Sequence, residues 1–113
     1  MDVYNVTLDL IRELRTIVPV VEQQDRDLAD QLRRAANSVF LNLCEGRKRL
    51  KGDQVRFFGY ASGSACEVRA ALDLAVTWGW LEQPVVALQL ADRLVAMLWR
   101  LSHPRPTRPS SRA

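Results

Sequence analysis

A chain of 113 residues with 48% hydrophobic and 26% charged side chains describes one globular domain, able to bury about two thirds of the surface of its unfolded form. The net charge is only +3, two cysteines are too few for a disulfide scaffold, and no apolar run approaches the ~20 residues that span a bilayer. The start, MDVYNVTLDL, lacks a basic segment followed by a solid apolar run, so the expectation is a cytoplasmic protein with free thiols rather than a membrane or secreted one.

Asp2 can cap a first helix over about residues 3–18, in which Val3, Val6, Leu10, Leu14 and Ile17 recur three and four apart along one face. Pro19 interrupts the pattern. A second helix begins between Glu22 and Asp25, with Leu28, Leu32, Ala35 or Ala36, Val39 and Leu43 as its buried stripe. Asp25, Asp27 and Asp30 suit the positive end of its dipole, and Gly46 is a candidate end cap.

A third helix is expected from about Asp53 to Trp78. Phe58, Ala61, Ala65, Val68, Leu72 and Ala75 form one line on it, and Phe57, Ser64, Glu67, Ala71, Leu74 and Trp78 an adjacent one. Gly79 marks its stop, and Pro84 suits the first turn of a fourth helix that turns Val86, Leu90, Leu94, Met97, Leu98 and Leu101 inward. From Pro104 the periodicity ends. Four amphipathic helices with short connections predict an all-α fold, an up-down-up-down four-helix bundle over residues 1–103, followed by a disordered, basic, Pro-rich tail over 104–113.

The positive charge is concentrated. Arg47, Lys48, Arg49, Lys51 and Arg56 occupy the junction between the second and third helices with one aspartate, and Arg105, Arg108 and Arg112 lie in the tail without an acid. The remainder of the chain is net acidic. Such a cluster can hold phosphates by charge and hydrogen bonding without reading bases, and a merely solvated patch has the same composition.

"QLRRAANSVFLNLCEG" (residues 31–46) and "RFFGYASGSACEVRAALDLA" (56–75) together resemble the four-helix-bundle family encoded by intervening sequences in bacterial 23S rRNA genes. That family is similar to the accessory variability proteins of diversity-generating retroelements. The residues carrying the resemblance are Arg33, Arg34, Ala35, Ser38, Asn42, Glu45 and Gly46, then Phe57, Phe58, Ala61, Gly63, Ser64 and Glu67, with weaker helical similarity over about residues 8–101. Cys44 stands where the family's N-x-A-E-G pattern has a small apolar residue, and "EGRKRLKGD" is longer and more basic than many family junctions. The resemblance implies compact protomers assembled as homopentameric rings. Its retroelement branch implies nucleic-acid binding in cooperation with a reverse transcriptase.

Two carboxylates, Glu45 and Glu67, invite an acid–base reading, but no Ser-His or Cys-His arrangement and no phosphate-loop or dinucleotide-loop glycine pattern accompanies them. The competing reading is structural. Arg34, Ser38 and Asn42 are spaced four apart on one polar face, Ser64 and Glu67 share a stripe, and with Glu45 they form a candidate polar network within the bundle or at a subunit boundary. Gly59 and Gly63 suggest close helix approach, Cys44 and Cys66 small buried residues, and Trp78, Trp80 and Trp99 anchors of helix ends.

No metal, cofactor or catalytic residue is predicted, and the expected mode of action is binding rather than turnover. The candidate nucleic-acid contacts, to RNA or DNA, are Arg47, Lys48, Arg49, Lys51, Arg56, Arg105 and Arg108. The alternative is a protein-interaction scaffold or a structural remnant of a mobile element that binds no nucleic acid.

Overall fold

The computed structural model describes residues 2–106. Four helices follow one another: α1 (Val3–Gln24), α2 (Arg26–Arg47), α3 (Lys51–Thr77) and α4 (Val85–Ser102). Each packs on its chain neighbours, and α1 also packs on α4, which closes a square bundle. The core lies along its axis, with Leu10, Val21, Leu32, Val39, Leu43, Val68, Leu72, Leu94 and Leu98 fully buried. No helix of the described residues is long and apolar enough to cross a membrane.

Capping explains the first boundaries. Asp2 accepts a hydrogen bond from the Tyr4 amide at 2.9 Å and starts α1 as predicted. Asp25 serves two helices at once. Its amide donates to the Val21 carbonyl at 2.8 Å, and its carboxylate accepts from the Leu28 amide at 3.0 Å. A single residue therefore reverses the chain between α1 and α2.

Pro19 does not end α1, as its ring suggested; the helix continues for five further residues to Gln24. Pro19 faces solvent, so the Arg15 carbonyl deprived of its partner can be hydrated, while Val18 and Val21 on the other side hold the helix to the core. Burial of the flanking valines outweighs the lost bond.

Gly46 is likewise not a terminal cap. It lies buried inside α2, and a Cβ there would stand 2.8 Å from Cε1 of Phe58 and 3.2 Å from Cβ of Phe57. The missing side chain lets the end of α2 approach the start of α3. At the far end of α3, Gly79 takes φ +82, the left-handed conformation that stops a helix.

The α4 face is rotated from the expectation. Ala87, Leu88, Ala91, Leu94 and Leu98 are buried, whereas Val86 and Leu101 are exposed and Leu90 and Met97 half-buried. Small alanines, not the larger valine and leucine, take the closest positions, and Pro84 precedes the helix as its N-cap instead of lying in the first turn. Gly59 and Gly63 do not mediate close approach within the protomer: a Cβ at Gly63 meets nothing within 4 Å, and one at Gly59 only Ser102 at 3.9 Å. Residues 103–106 have no regular structure; Arg108, Arg112 and most of the predicted tail lie outside the described residues.

Candidate nucleic-acid interface

The junction between α2 and α3 spans only residues 48–50 and is tied down from both sides. The Lys48 and Arg49 amides donate to the Glu45 and Gly46 carbonyls at 3.2 and 3.1 Å, and Gln54 Nε2 reaches back to the Gly46 carbonyl at 3.2 Å. With the Gly46–Phe58 approach, these bonds fix a tight corner whose side chains point outward. Arg47, Lys48, Arg49, Lys51 and Arg56 are all exposed there, and so is Arg105 beyond α4.

The corner is not uniformly free charge. Glu45 pairs with Arg49 Nη2 at 2.7 Å and Lys48 Nζ at 3.6 Å, while Asp53 pairs with Arg56 at 3.2 Å. The Arg49 hydrogen bond, followed by the charge of Lys48, holds the Glu45 carboxyl below the usual carboxylate range. Five basic and two acidic side chains leave residues 45–56 at +3. Lys51 makes no ion pair among the described residues, and Arg47 lies over the Tyr4 ring, 5.4 Å from its centroid. The guanidiniums of Arg49 and Arg56 also lie against Phe57, at 5.1 and 5.0 Å from its ring centroid. Sequence reasoning missed this ring as a surface feature, although its spacing from Arg56 and Tyr60 on one helix contains the signal.

The candidate polar network separates into parts. Asn42 Nδ2 donates to Ser38 O and Oγ at 2.9 and 3.0 Å, and Ser64 Oγ donates to Ser38 Oγ at 2.8 Å, joining α2 to α3. Glu45 belongs to the basic corner instead. Arg34 and Glu67 line a groove of about 520 Å³ between α2 and α3 with Ser38, Leu28 and Leu74, and form no ion pair among the described residues.

The two glutamates are not brought together. The Ser38–Ser64 bond and the Gly46–Phe58 approach set an antiparallel register that places Glu67 near Arg34. In that register Glu67 lies opposite residues 35–37, eight to ten residues from Glu45 on α2, which puts it roughly 12–15 Å along the bundle from Glu45, beyond the separation of a carboxylate pair acting on one bond. Of the thiols, Cys44 is half-buried, but Cys66 is exposed, contrary to the expected packing role, because it lies off the α3 core stripe. Trp78 and Trp80 stack at 5.6 Å at the turn after α3, where Trp80 packs on the core and Trp78 stays outside. Trp99 stacks on His103 at 4.1 Å at the end of α4.

The four-helix fold agrees with the family signal. The family model for 23S rRNA-intervening sequence proteins matches residues 1–100. The chain belongs to this family. No curated protein matches it significantly. Among solved structures, a crystal structure of a protein of unknown function from the S23 ribosomal protein family of Bacteroides thetaiotaomicron superposes with a TM-score of 0.79. The two share 19% identity over 89% of this chain and 98% of the other, which establishes the common bundle.

Proposed function

We propose that this protein is a non-enzymatic, self-associating scaffold that binds nucleic acid through the α2–α3 corner. The supporting observation is the excess of exposed positive charge on a rigid corner: five cations within ten residues, only partly balanced by Glu45 and Asp53. Cations held on a fixed scaffold contact phosphates with little ordering cost, and copies assembled in a ring would repeat the contact along one polyanion. The pentameric ring, the mobile-element association, the reverse-transcriptase partner and a cytoplasmic location follow from the family resemblance and sequence pattern, and are part of the same proposal. Neighbouring genes discriminate the branches: a reverse transcriptase with a variable repeat favours the retroelement role, and insertion within a 23S rRNA gene the other.

The test is to replace Arg47, Lys48, Arg49 and Lys51 together with neutral residues and titrate RNA and DNA at several salt concentrations. The proposal expects weaker binding and a flatter dependence of log K on log salt, because fewer counterions are released. Unchanged affinity and slope in a folded variant would reject the corner.

A second reading has its own observation. The α2–α3 groove carries Arg34 and Glu67, neither in an ion pair among the described residues, beside Leu74, and Trp78 lies one turn further on at the end of α3; Leu74 and Trp78 are 48% and 66% exposed. Such a mixture suits a protein partner more than a polyanion. If the starting protein binds no nucleic acid, this surface becomes the leading one.

A further inference from the structure

Arg49 and Arg56 add charge to the corner, but their guanidinium groups are already partly engaged. Each already directs guanidinium nitrogens at a carboxylate, Arg49 through Nε and Nη2 to Glu45 at 2.9 and 2.7 Å and Arg56 through Nη2 to Asp53 at 3.2 Å. Each also lies against the ring of Phe57. An arginine whose edge is held by a carboxylate and whose one side contacts a ring has its planar group fixed, with the other side left for stacking. Tyr60 completes the group. It meets Phe57 edge-on, with centroids 5.6 Å apart and planes at 86°, is 50% exposed, and its hydroxyl makes no hydrogen bond among the described residues. Asp53, Arg56, Phe57 and Tyr60 recur at three- and four-residue spacing on one face of α3, beside the corner that carries Arg49.

We propose that Arg49, Arg56, Phe57 and Tyr60 form a base-stacking platform that takes single-stranded nucleic acid, with Lys51 beside it holding the backbone. This rests on the reading of the corner as a nucleic-acid contact and adds which form of nucleic acid it takes. A paired duplex keeps its base faces inside its stack and offers the platform only phosphates. An unpaired strand can splay its bases onto aromatic and guanidinium planes, a mode that tolerates any sequence because every base has a π-face. The two ion pairs act as orienting devices and not merely as charge cancellation.

The experiment uses the full chain and four probes: fluorescent oligothymidylate and oligouridylate of about twelve nucleotides, the size range of such sites, a DNA duplex of the same length, and inorganic polyphosphate as a polyanion without bases. The charge-preserving double variant Arg49→Lys/Arg56→Lys and the variant Tyr60→Ala are compared with the starting protein, with circular dichroism to verify helicity. The expected result is a preference for the single strands, and a loss of about tenfold in their affinity in either variant, on the scale of one lost stacking contact. Polyphosphate affinity and the salt slope stay unchanged. Equal affinity for single strand and duplex, with both variants like the starting protein, would overturn the platform while leaving the corner as a backbone contact. No binding of any probe by the starting protein would overturn both. If Tyr60→Ala loses helicity, Tyr60→Leu takes its place and must lose single-strand affinity likewise; retention would count against the platform.

Discussion

Ser64 Oγ on α3 donates a 2.8 Å hydrogen bond to Ser38 Oγ on α2, and the same Ser38 oxygen accepts from Asn42 Nδ2 at 3.0 Å. One hydroxyl therefore fixes the register of the two helices that frame the corner. Ser38→Ala leaves the buried Ser64 hydroxyl without this partner and should lower stability by about 1–2 kcal/mol. The double variant Ser38→Ala/Ser64→Ala should cost less than the sum of the singles, since neither hydroxyl is then stranded. Urea unfolding of the four proteins measures both quantities; strict additivity would contradict the coupling.

Gly46→Ala should be destabilising although alanine is the better helix former. The helical gain is about 1 kcal/mol, whereas the new methyl would stand 2.8 Å from the ring of Phe58, a buried side chain with little room to retreat. Overpacking of this kind costs about 1–3 kcal/mol, so a net loss of about 1 kcal/mol is expected, read as a lower denaturation midpoint. A stabilised variant would show that the corner can open without penalty.

Much of this arrangement is legible in the sequence, and what is not has identifiable causes. The α1, α2 and α3 stripes follow helical periodicity because each apolar line is long and interrupted by polar residues. Pro19 misleads because propensity describes an isolated helix, whereas burial of Val18 and Val21 comes from tertiary packing. In α4, apolar side chains surround most of the helix, so periodicity alone does not select Ala87 and Ala91 over Val86 and Leu101. The candidate site is half legible. Composition shows the basic run, but the ion pair of Glu45 with Arg49 and the contact of Arg49 with the Phe57 ring depend on how the chain turns after Gly46.

Glu45 gives the corner a pH dependence with a definite sign. Its folded pKa is depressed by Arg49 and then Lys48, so its small stabilising contribution is present above the unfolded value and is lost as pH falls through the folded one. At neutral pH it competes with phosphate for both cations. Glu45→Gln should therefore strengthen polyanion binding about threefold at low salt, the scale of an exposed ion pair. The gap between the two proteins should close as pH falls through the depressed carboxyl pKa. Anisotropy titrations across pH measure this, and a gap that widens in acid would refute the competition.

Self-association should appear in sedimentation experiments as species above the 12.8 kDa protomer. If the α2–α3 groove is the contact, Arg34→Glu should weaken the assembly by placing like charge beside Glu67, and Arg34→Glu/Glu67→Arg should restore it in part. A monomer at every concentration would remove the ring while leaving the four-helix fold in place.

That nucleic acid binds at the α2–α3 corner is tested most directly by amide hydrogen exchange with and without a saturating single-stranded oligonucleotide, binding being verified in the same sample. Slower exchange is predicted at residues 51–53, where the first turn of α3 leaves amides without intrahelical partners, and little change around Glu67 and Leu74. Protection confined to the α2–α3 groove, or no change at the corner with the oligonucleotide bound, would contradict it.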